Sequence, residues 1–314
     1  MKAVFHYDAG PRLAARLAAL AGEGFAVAAC PEEDDARLLA LLPDAEVVLH
    51  VLKPFSAAWI AAAPTLRLIQ KIGVGVNTID LDAARLRGIA VCNLPGTNSR
   101  AVAELTLALM LATLRRLPMF DRATREGRGW SLDPSLQDGL GELGGRTVGL
   151  IGYGAVPKIL APMLKAMGCR VLYTARTEQA DTVAEWRDLA TLLAEADIVS
   201  LHVPLTDATT RLINAAALAR MKPGAVLINT ARGGLVETAA LIEVLRRGRL
   251  AAAGLDTFAT EPVAPGDPLL MLPNVVLTPH IAWLTIETFD RSLDLARENC
   301  RRIAASEELL HRVV

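Results

Sequence analysis

Aromatic residues are scarce in this 314-residue chain, 4% against a hydrophobic content of 52%, so its cores are expected to be built from Ala, Leu, Val and Ile. Cysteine is equally thin. Cys30, Cys92, Cys169 and Cys300 lie far apart and form no CxxC pair or Cys/His ligand spacing, which argues against zinc, any other metal and a disulfide framework. Neither sign of charge dominates: 33 Lys and Arg face 34 Asp and Glu, leaving no net field to hold nucleic acid or an anionic membrane. Arg-rich pieces such as Arg246-Arg247-Gly248-Arg249 read as solvated helix ends. Long apolar runs are missing too. The longest, Ala101 to Leu114, contains Glu104 and is too short to span a bilayer, and Asp8 arrives before a signal-peptide core can form, so a cytoplasmic protein is expected.

The length is about twice that of a typical domain and favours two compact units. Apolar runs at Ala3–Tyr7, Val47–Val51 and Leu66–Ile72 alternate with helical stretches, the first near Arg12–Ala21. A second series runs through Thr147–Gly152, Arg170–Tyr173, Ile198–His202, Ala225–Asn229, Ala252–Asp256 and Val275–Leu277. That rhythm predicts an α/β protein with two doubly wound parallel-sheet domains. Ser99–Leu117 reads as a long helix with so few polar residues that it must pack on both domains or on a partner subunit. Gly127–Gly145, with Trp130 and Pro134, reads as a loop long enough to be functional or interfacial. A last helix near Ile286–Ser306 is expected to return to the first unit and make it discontinuous, giving domains of 1–98 plus 285–314 and of 99–284.

The strand ending at Ile151 runs into Gly152-Tyr153-Gly154-Ala155-Val156-Pro157 and then a helix. Two glycines suit a tight turn and close approach of backbone to a diphosphate, with the amides of Ala155 and Val156 as donors. A plain strand-to-helix connection would need no ligand. Pro157 stands where a third glycine is usual; it is compatible with a first helical turn, at some cost in helix-to-strand packing. The next strand ends Tyr173-Thr174-Ala175-Arg176-Thr177, with no acid for a ribose and with an arginine suited to a 2′-phosphate, which favours NADP(H) over NAD(H). An NAD(H) site would instead rely on Thr174 or Thr177.

Arg232, Glu261 and His280 supply a cation for a carboxylate, a carboxylate to tune a donor, and a proton donor. Taken singly, each has a structural alternative: a salt bridge, a solvent contact and a core or capping histidine. The words around them are Gly73-Val74-Gly75-Val76-Asn77-Thr78-Ile79-Asp80, Asn229-Thr230-Ala231-Arg232-Gly233-Gly234, Gly254-Leu255-Asp256-Thr257-Phe258 with Glu261-Pro262, and Thr278-Pro279-His280-Ile281. In that order they resemble the D-isomer-specific 2-hydroxyacid dehydrogenase family over nearly the whole chain, and look closest to its NADPH-using glyoxylate/hydroxypyruvate reductase branch.

The resemblance implies a flavodoxin-like substrate domain, a Rossmann coenzyme domain, an active site in the cleft between them and a homodimer. It implies His280 as acid/base, Glu261 as its carboxylate and Arg232 as the substrate's cation. Val74 and Gly75 correspond to a carboxylate-binding turn. Val203 and Pro204 fall near the adenosine, Thr209 near phosphate or ribose, Thr230 and Ala231 along the nicotinamide side, and Asp256 at the carboxamide. Asn77, Thr78 and Lys71 depart from the common pattern, and Lys71 is a further substrate candidate, as are Leu52 and Lys53 after the second strand. Trp283, where relatives often carry small residues, is expected to narrow the substrate pocket, reach a dimer interface or pack in the core. His202 reads as structural or cofactor-adjacent.

The implied reaction is hydride transfer between NADPH and a small 2-keto acid, giving a D-2-hydroxy acid. An NAD-linked dehydrogenase and a non-catalytic dinucleotide-sensing module are the alternatives. No regulatory extension is expected after Val314.

Overall fold

The computed structural model describes residues 1–130, 133–180 and 182–314. They form two compact units, Met1–Asn98 with Leu284–Val314, and Ser99–Trp283. Unit one opens with β1 (Lys2–His6), α1 (Pro11–Ala19), β2 (Ala26–Cys30), α2 (Asp35–Leu41) and β3 (Val47–His50). It continues with α3 (Ala57–Ala61), β4 (Leu68–Lys71), α4 (Leu81–Leu86) and β5 (Ala90–Cys92). Its parallel sheet runs β2-β1-β3-β4-β5. Val4, Leu38, Val48, Phe55, Ile60 and Ile69 are among the buried apolar residues of its core. Burying each is worth roughly 1.5–3 kcal/mol.

Unit two contains α5 (Ser99–Leu114), α6 (Leu117–Arg125), β6 (Thr147–Ile151), α7 (Ala155–Ala166), β7 (Arg170–Thr174) and β8 (Glu185–Trp186). Then come α8 (Leu189–Glu195), β9 (Ile198–Leu201), α9 (Ala215–Arg220), β10 (Ala225–Asn229), α10 (Thr238–Arg246), β11 (Leu250–Leu255) and β12 (Val275–Leu277). Its sheet, also parallel, runs β12-β11-β10-β9-β6-β7-β8. The order reverses between β6 and β9, and the carboxyl ends of strands at such a switch point form a ligand crevice. Two doubly wound parallel sheets are therefore present, as the alternation of runs predicts.

The last helix, α11 (Ile286–Ala304), belongs to unit one. Asn299 on α11 donates to Gln70 Oε1 on β4 at 2.7 Å, and Arg16 on α1 pairs with Asp290 at 2.6 Å.

Several elements differ from their sequence reading. β2 escapes it because Ala-Val-Ala-Ala-Cys has neither alternation nor strong strand formers, so Leu52 and Lys53 follow the third strand. β8, with two residues, is too short to leave a pattern. The long helix stops at Leu114: Arg116 is left-handed at φ 48°, and Pro118 opens a separate helix. α5 packs on α7 and on β10–β12 of its own unit. A Cβ on Gly254 of β11 would lie 3.1 Å from Leu109 Cβ, so glycine sets how near that helix comes. Within the expected 127–145 loop, Pro134–Gly139 forms a 3-10 helix, and residues 131 and 132 lie outside the described residues. Among the described residues no helix is long and apolar enough to cross a membrane.

Candidate active site

Gly152, directly after β6, has φ 96°, and a Cβ there would lie 2.5 Å from the His202 carbonyl oxygen beyond β9. Only glycine lets these two strand ends meet. Val203 Cγ1 stands 3.0 Å from the same point, which brings Val203 beside the turn. Gly154 caps α7, and a Cβ on it would meet nothing within 4 Å. The turn is open at that point, and it leads into Ala155 and Val156, the first helical residues, whose N–H groups have no intrahelical acceptor. This cradle fits a dinucleotide diphosphate. Pro157 is buried on the inner side of α7 within its first turn, where a missing N–H breaks no helical bond.

Tyr153, between the two glycines, stacks on Tyr173 of β7 with ring centroids 4.2 Å apart. The Gln179 amide donates to the Tyr173 hydroxyl at 2.7 Å, which ties the 174–180 segment to the turn. Arg176 and Thr177 are exposed on that segment, and Thr174 is half-buried. Arg176 makes no hydrogen bond or ion pair among the described residues. The Thr209 hydroxyl donates to Pro204 O at 2.7 Å and accepts from Thr206 N at 2.8 Å, so it braces its own loop. His202 bonds Ser200 Oγ at 2.9 Å, and burial pushes its imidazole down to about 3.

The segment after β10 is stapled by Asn229. Its Oδ1 accepts from Ala231 N at 3.0 Å and its Nδ2 donates to Arg232 O at 2.9 Å. Thr230 is buried, and its hydroxyl lies 2.8 Å from that of Thr106 on α5, which itself donates to Val102 O. Arg232 donates to Ala231 O at 2.7 Å; burial lowers its guanidinium and the charge of Glu261 opposes that. Gly233 cannot be replaced by a larger residue without disruption: a Cβ would lie 1.9 Å from the Phe258 carbonyl carbon. The arginine segment and the loop bearing Glu261 are therefore in backbone contact.

Glu261 is held at both oxygens. Oε1 accepts from Phe258 N at 2.8 Å, and Oε2 lies 2.7 Å from His280 Nδ1. Burial pushes its carboxyl up, but the His280 hydrogen bond and charge, the Phe258 amide and the charge of Arg232 outweigh it and leave the group below the usual carboxylate range. His280 is left-handed at φ 56°, with its N–H on Asp256 O at 2.8 Å and Thr278 O at 3.0 Å. The fully buried carboxylate of Asp256 accepts from Thr278 Oγ1, Ile281 N and Ala282 N at 2.6, 2.9 and 2.9 Å. Burial raises that carboxyl while these three bonds oppose the rise. Asp256 thus anchors the His280 loop, with both oxygens committed. Trp283 is 7% exposed and its indole N–H donates to His280 O at 2.9 Å.

Arg232, Glu261 and His280 are thereby gathered in unit two. A cavity of about 310 Å³ in the same unit is lined by Val236, Leu241, Leu255 and Leu269, among others, but by none of the three, so it is not the place of their chemistry. In unit one, Val74 and Gly75 follow Gly73, which has φ 144°; Leu94 N and Asn93 Nδ2 hold the carbonyls of Gly73 and Val74. Lys71 is buried and donates to Val51 O and to Thr78 Oγ1. Lys53 pairs with Asp35 at 2.8 Å, and the Leu52 amide donates to Glu32. Among the described residues no group of three or more His, Cys, Asp or Glu could hold a metal ion.

The sequence reading gave Asn229 and Thr106 no role. Asn229 had a signal, an Asn closing a strand before a turn. Thr106 had none, because its partner is 124 positions away.

Residues 107–282, more than half of the chain, match the family model "D-isomer specific 2-hydroxyacid dehydrogenase, NAD binding domain". The glyoxylate reductase of Aeropyrum pernix is 42% identical over 248 residues, 76% of this chain and 74% of that protein. The D-3-phosphoglycerate dehydrogenase of Mycobacterium tuberculosis is 40% identical over 88% of this chain, which spans about half (52%) of that longer protein. Among solved structures, a Thermus thermophilus protein superimposes with TM-score 0.90 at 39% identity over all of both chains. The NADPH-dependent glyoxylate/hydroxypyruvate reductase of Sinorhizobium meliloti, in complex with NADP and malonate, gives TM-score 0.82 at 32% identity, over all of this chain and 96% of that one.

Proposed function

We propose that this chain, which belongs to the D-isomer-specific 2-hydroxyacid dehydrogenase family, is an NADPH-dependent reductase of small 2-keto acids of the glyoxylate or hydroxypyruvate class. The observation that carries the reading is the 2.7 Å contact between His280 Nδ1 and Glu261 Oε2, with Arg232 acting electrostatically on the same carboxylate. NADPH, when bound, supplies hydride to the carbonyl carbon. The chain's own residues do the rest. Arg232 binds the substrate carboxylate and polarises the carbonyl oxygen, fixing which face is presented. His280, with Nδ1 engaged by Glu261, gives the proton on Nε2 to that oxygen, and the C=O group becomes CH–OH of a D-2-hydroxy acid. Solvent then restores the proton to His280.

Gly152, Gly154 and the amides of Ala155 and Val156 are assigned to the diphosphate, and Val203 with Pro204 to the adenosine side. Arg176 is exposed and without a partner among the described residues, as a cation awaiting a 2′-phosphate would be. In unit one we assign the amides of Val74 and Gly75 to the substrate carboxylate. A homodimer is proposed, and light scattering of the purified protein tests it.

The deciding experiment follows NADPH and NADH oxidation separately with glyoxylate, hydroxypyruvate, pyruvate and phenylpyruvate. Faster NADPH oxidation with glyoxylate or hydroxypyruvate is expected. Preference for NADH would replace this reading with an NAD-linked dehydrogenase. Bound cofactor without turnover of any acid would replace it with a dinucleotide-sensing module.

A further inference from the structure

His280 occupies a backbone conformation that a side chain with a Cβ disfavours, at φ 56°. Such a residue persists only where its surroundings over-determine it. The N–H of the residue is fixed by the Asp256 carbonyl oxygen at 2.8 Å, and the peptide that follows it is held at Ile281 N by the Asp256 carboxylate at 2.9 Å. Pro279 precedes it and adds a rigid φ. The other polar atom of that same peptide, the His280 carbonyl oxygen, accepts from the indole N–H of Trp283 at 2.9 Å. At 7% exposure the ring is well packed, so the donor is fixed in place.

We propose that Trp283 is a positioning residue for the reaction, acting through the His280 carbonyl; this rests on His280 being the acid of the function proposed above. With its N–H and C=O both held, residue 280 keeps φ and ψ fixed, and its Cα–Cβ bond then has one direction. That direction carries Nδ1 to Glu261 Oε2 at 2.7 Å, which leaves Nε2 as the proton-donating nitrogen. Removing the indole donor leaves the carbonyl unpaired and the peptide after His280 held at Ile281 N alone, so the ψ of residue 280 is less narrowly set. The imidazole then samples orientations in which it is not aligned with Glu261. Substrate and cofactor binding do not depend on that alignment, whereas proton delivery does, so the loss falls on kcat and not on KM. A tryptophan serving as a pocket wall would show the opposite split.

Two replacements at position 283 test this. Trp283→Phe removes the N–H and part of the ring. Replacing Trp283 with 3-benzothienylalanine keeps the bicyclic shape and exchanges only the N–H for sulfur. Both are expected to lower kcat with NADPH and glyoxylate about tenfold, with KM for glyoxylate and Kd for NADPH within twofold of the parent. The downfield imidazole N–H proton resonance of the His280–Glu261 pair, identified by its absence in His280→Ala, is expected to broaden in both. A benzothienyl protein with parental kcat and an unchanged resonance would overturn the proposal, as would a rise in KM at constant kcat. Should the parent reduce none of the keto acids, the proposed function fails, and the resonance still reports whether Trp283 orders His280.

Discussion

Glu261 reaches His280 Nδ1 with one oxygen and the Phe258 amide with the other, so the carboxylate is fixed before any substrate arrives. An imidazole held this way has one nitrogen assigned to the protein and one left for chemistry. His280→Ala is expected to retain cofactor binding and to lower turnover on the order of 10²-fold or more, and Glu261→Gln to lose less because the amide still accepts from Nδ1–H. Steady-state rates with NADPH and glyoxylate decide it; undiminished turnover in His280→Ala removes that residue from the mechanism.

Gly233 lies so close to Phe258 that backbone stands where a methyl group would go. Gly233→Ala must push the 258–261 segment away, and overpacking of this kind typically costs about 1–3 kcal/mol. The thermal midpoint and kcat should fall together, because the displaced amide is the one that holds Glu261. Parental values of both would show that the contact yields.

Arg176→Ala should raise Kd for NADPH at least about tenfold and leave NADH within about twofold, the asymmetry expected when one side chain serves a group that only one cofactor carries. Equilibrium fluorescence titration with each cofactor provides the comparison. Equal losses would sink the phosphate role.

His202 introduces an acid sensitivity. Its imidazole is pushed down to about 3 by burial, against about 6.5 in an unfolded chain, so the unfolded state binds the proton first as pH falls. The stability this histidine contributes is complete above about 6.5 and is lost progressively as pH falls from there towards 3. Thermal midpoints measured at pH 7 and pH 5 should differ more for the parent than for His202→Gln. An identical difference in both would mean that other groups carry the acid sensitivity.

Much of the architecture was legible because buried parallel strands are written as unbroken apolar runs. β10 and β12 were read to the residue, since Ala225–Asn229 and Val275–Leu277 are flanked by turn-forming residues. β2 failed the same test because an Ala-rich strand looks like any small-residue segment. The residues of the site were legible as motifs, yet the sequence did not reveal how they are held. Asp256 stood out as a candidate cofactor ligand, whereas its oxygens are taken by the His280 loop, a fact that depends on register between β11 and the segment after β12. The Gly233–Phe258 contact likewise exists only once β10 and β11 are paired.

The discontinuity of unit one bears on how the chain matures. Gln70 on β4 takes its partner Asn299 from a helix that leaves the ribosome only after all of Ser99–Trp283 has been made. At about 5–20 residues per second, the nascent amino-terminal strands wait roughly ten to forty seconds for their cover. Throughout that interval the intervening unit, continuous in sequence, is free to fold first. The order of synthesis therefore leaves the middle of the polypeptide able to mature ahead of its beginning.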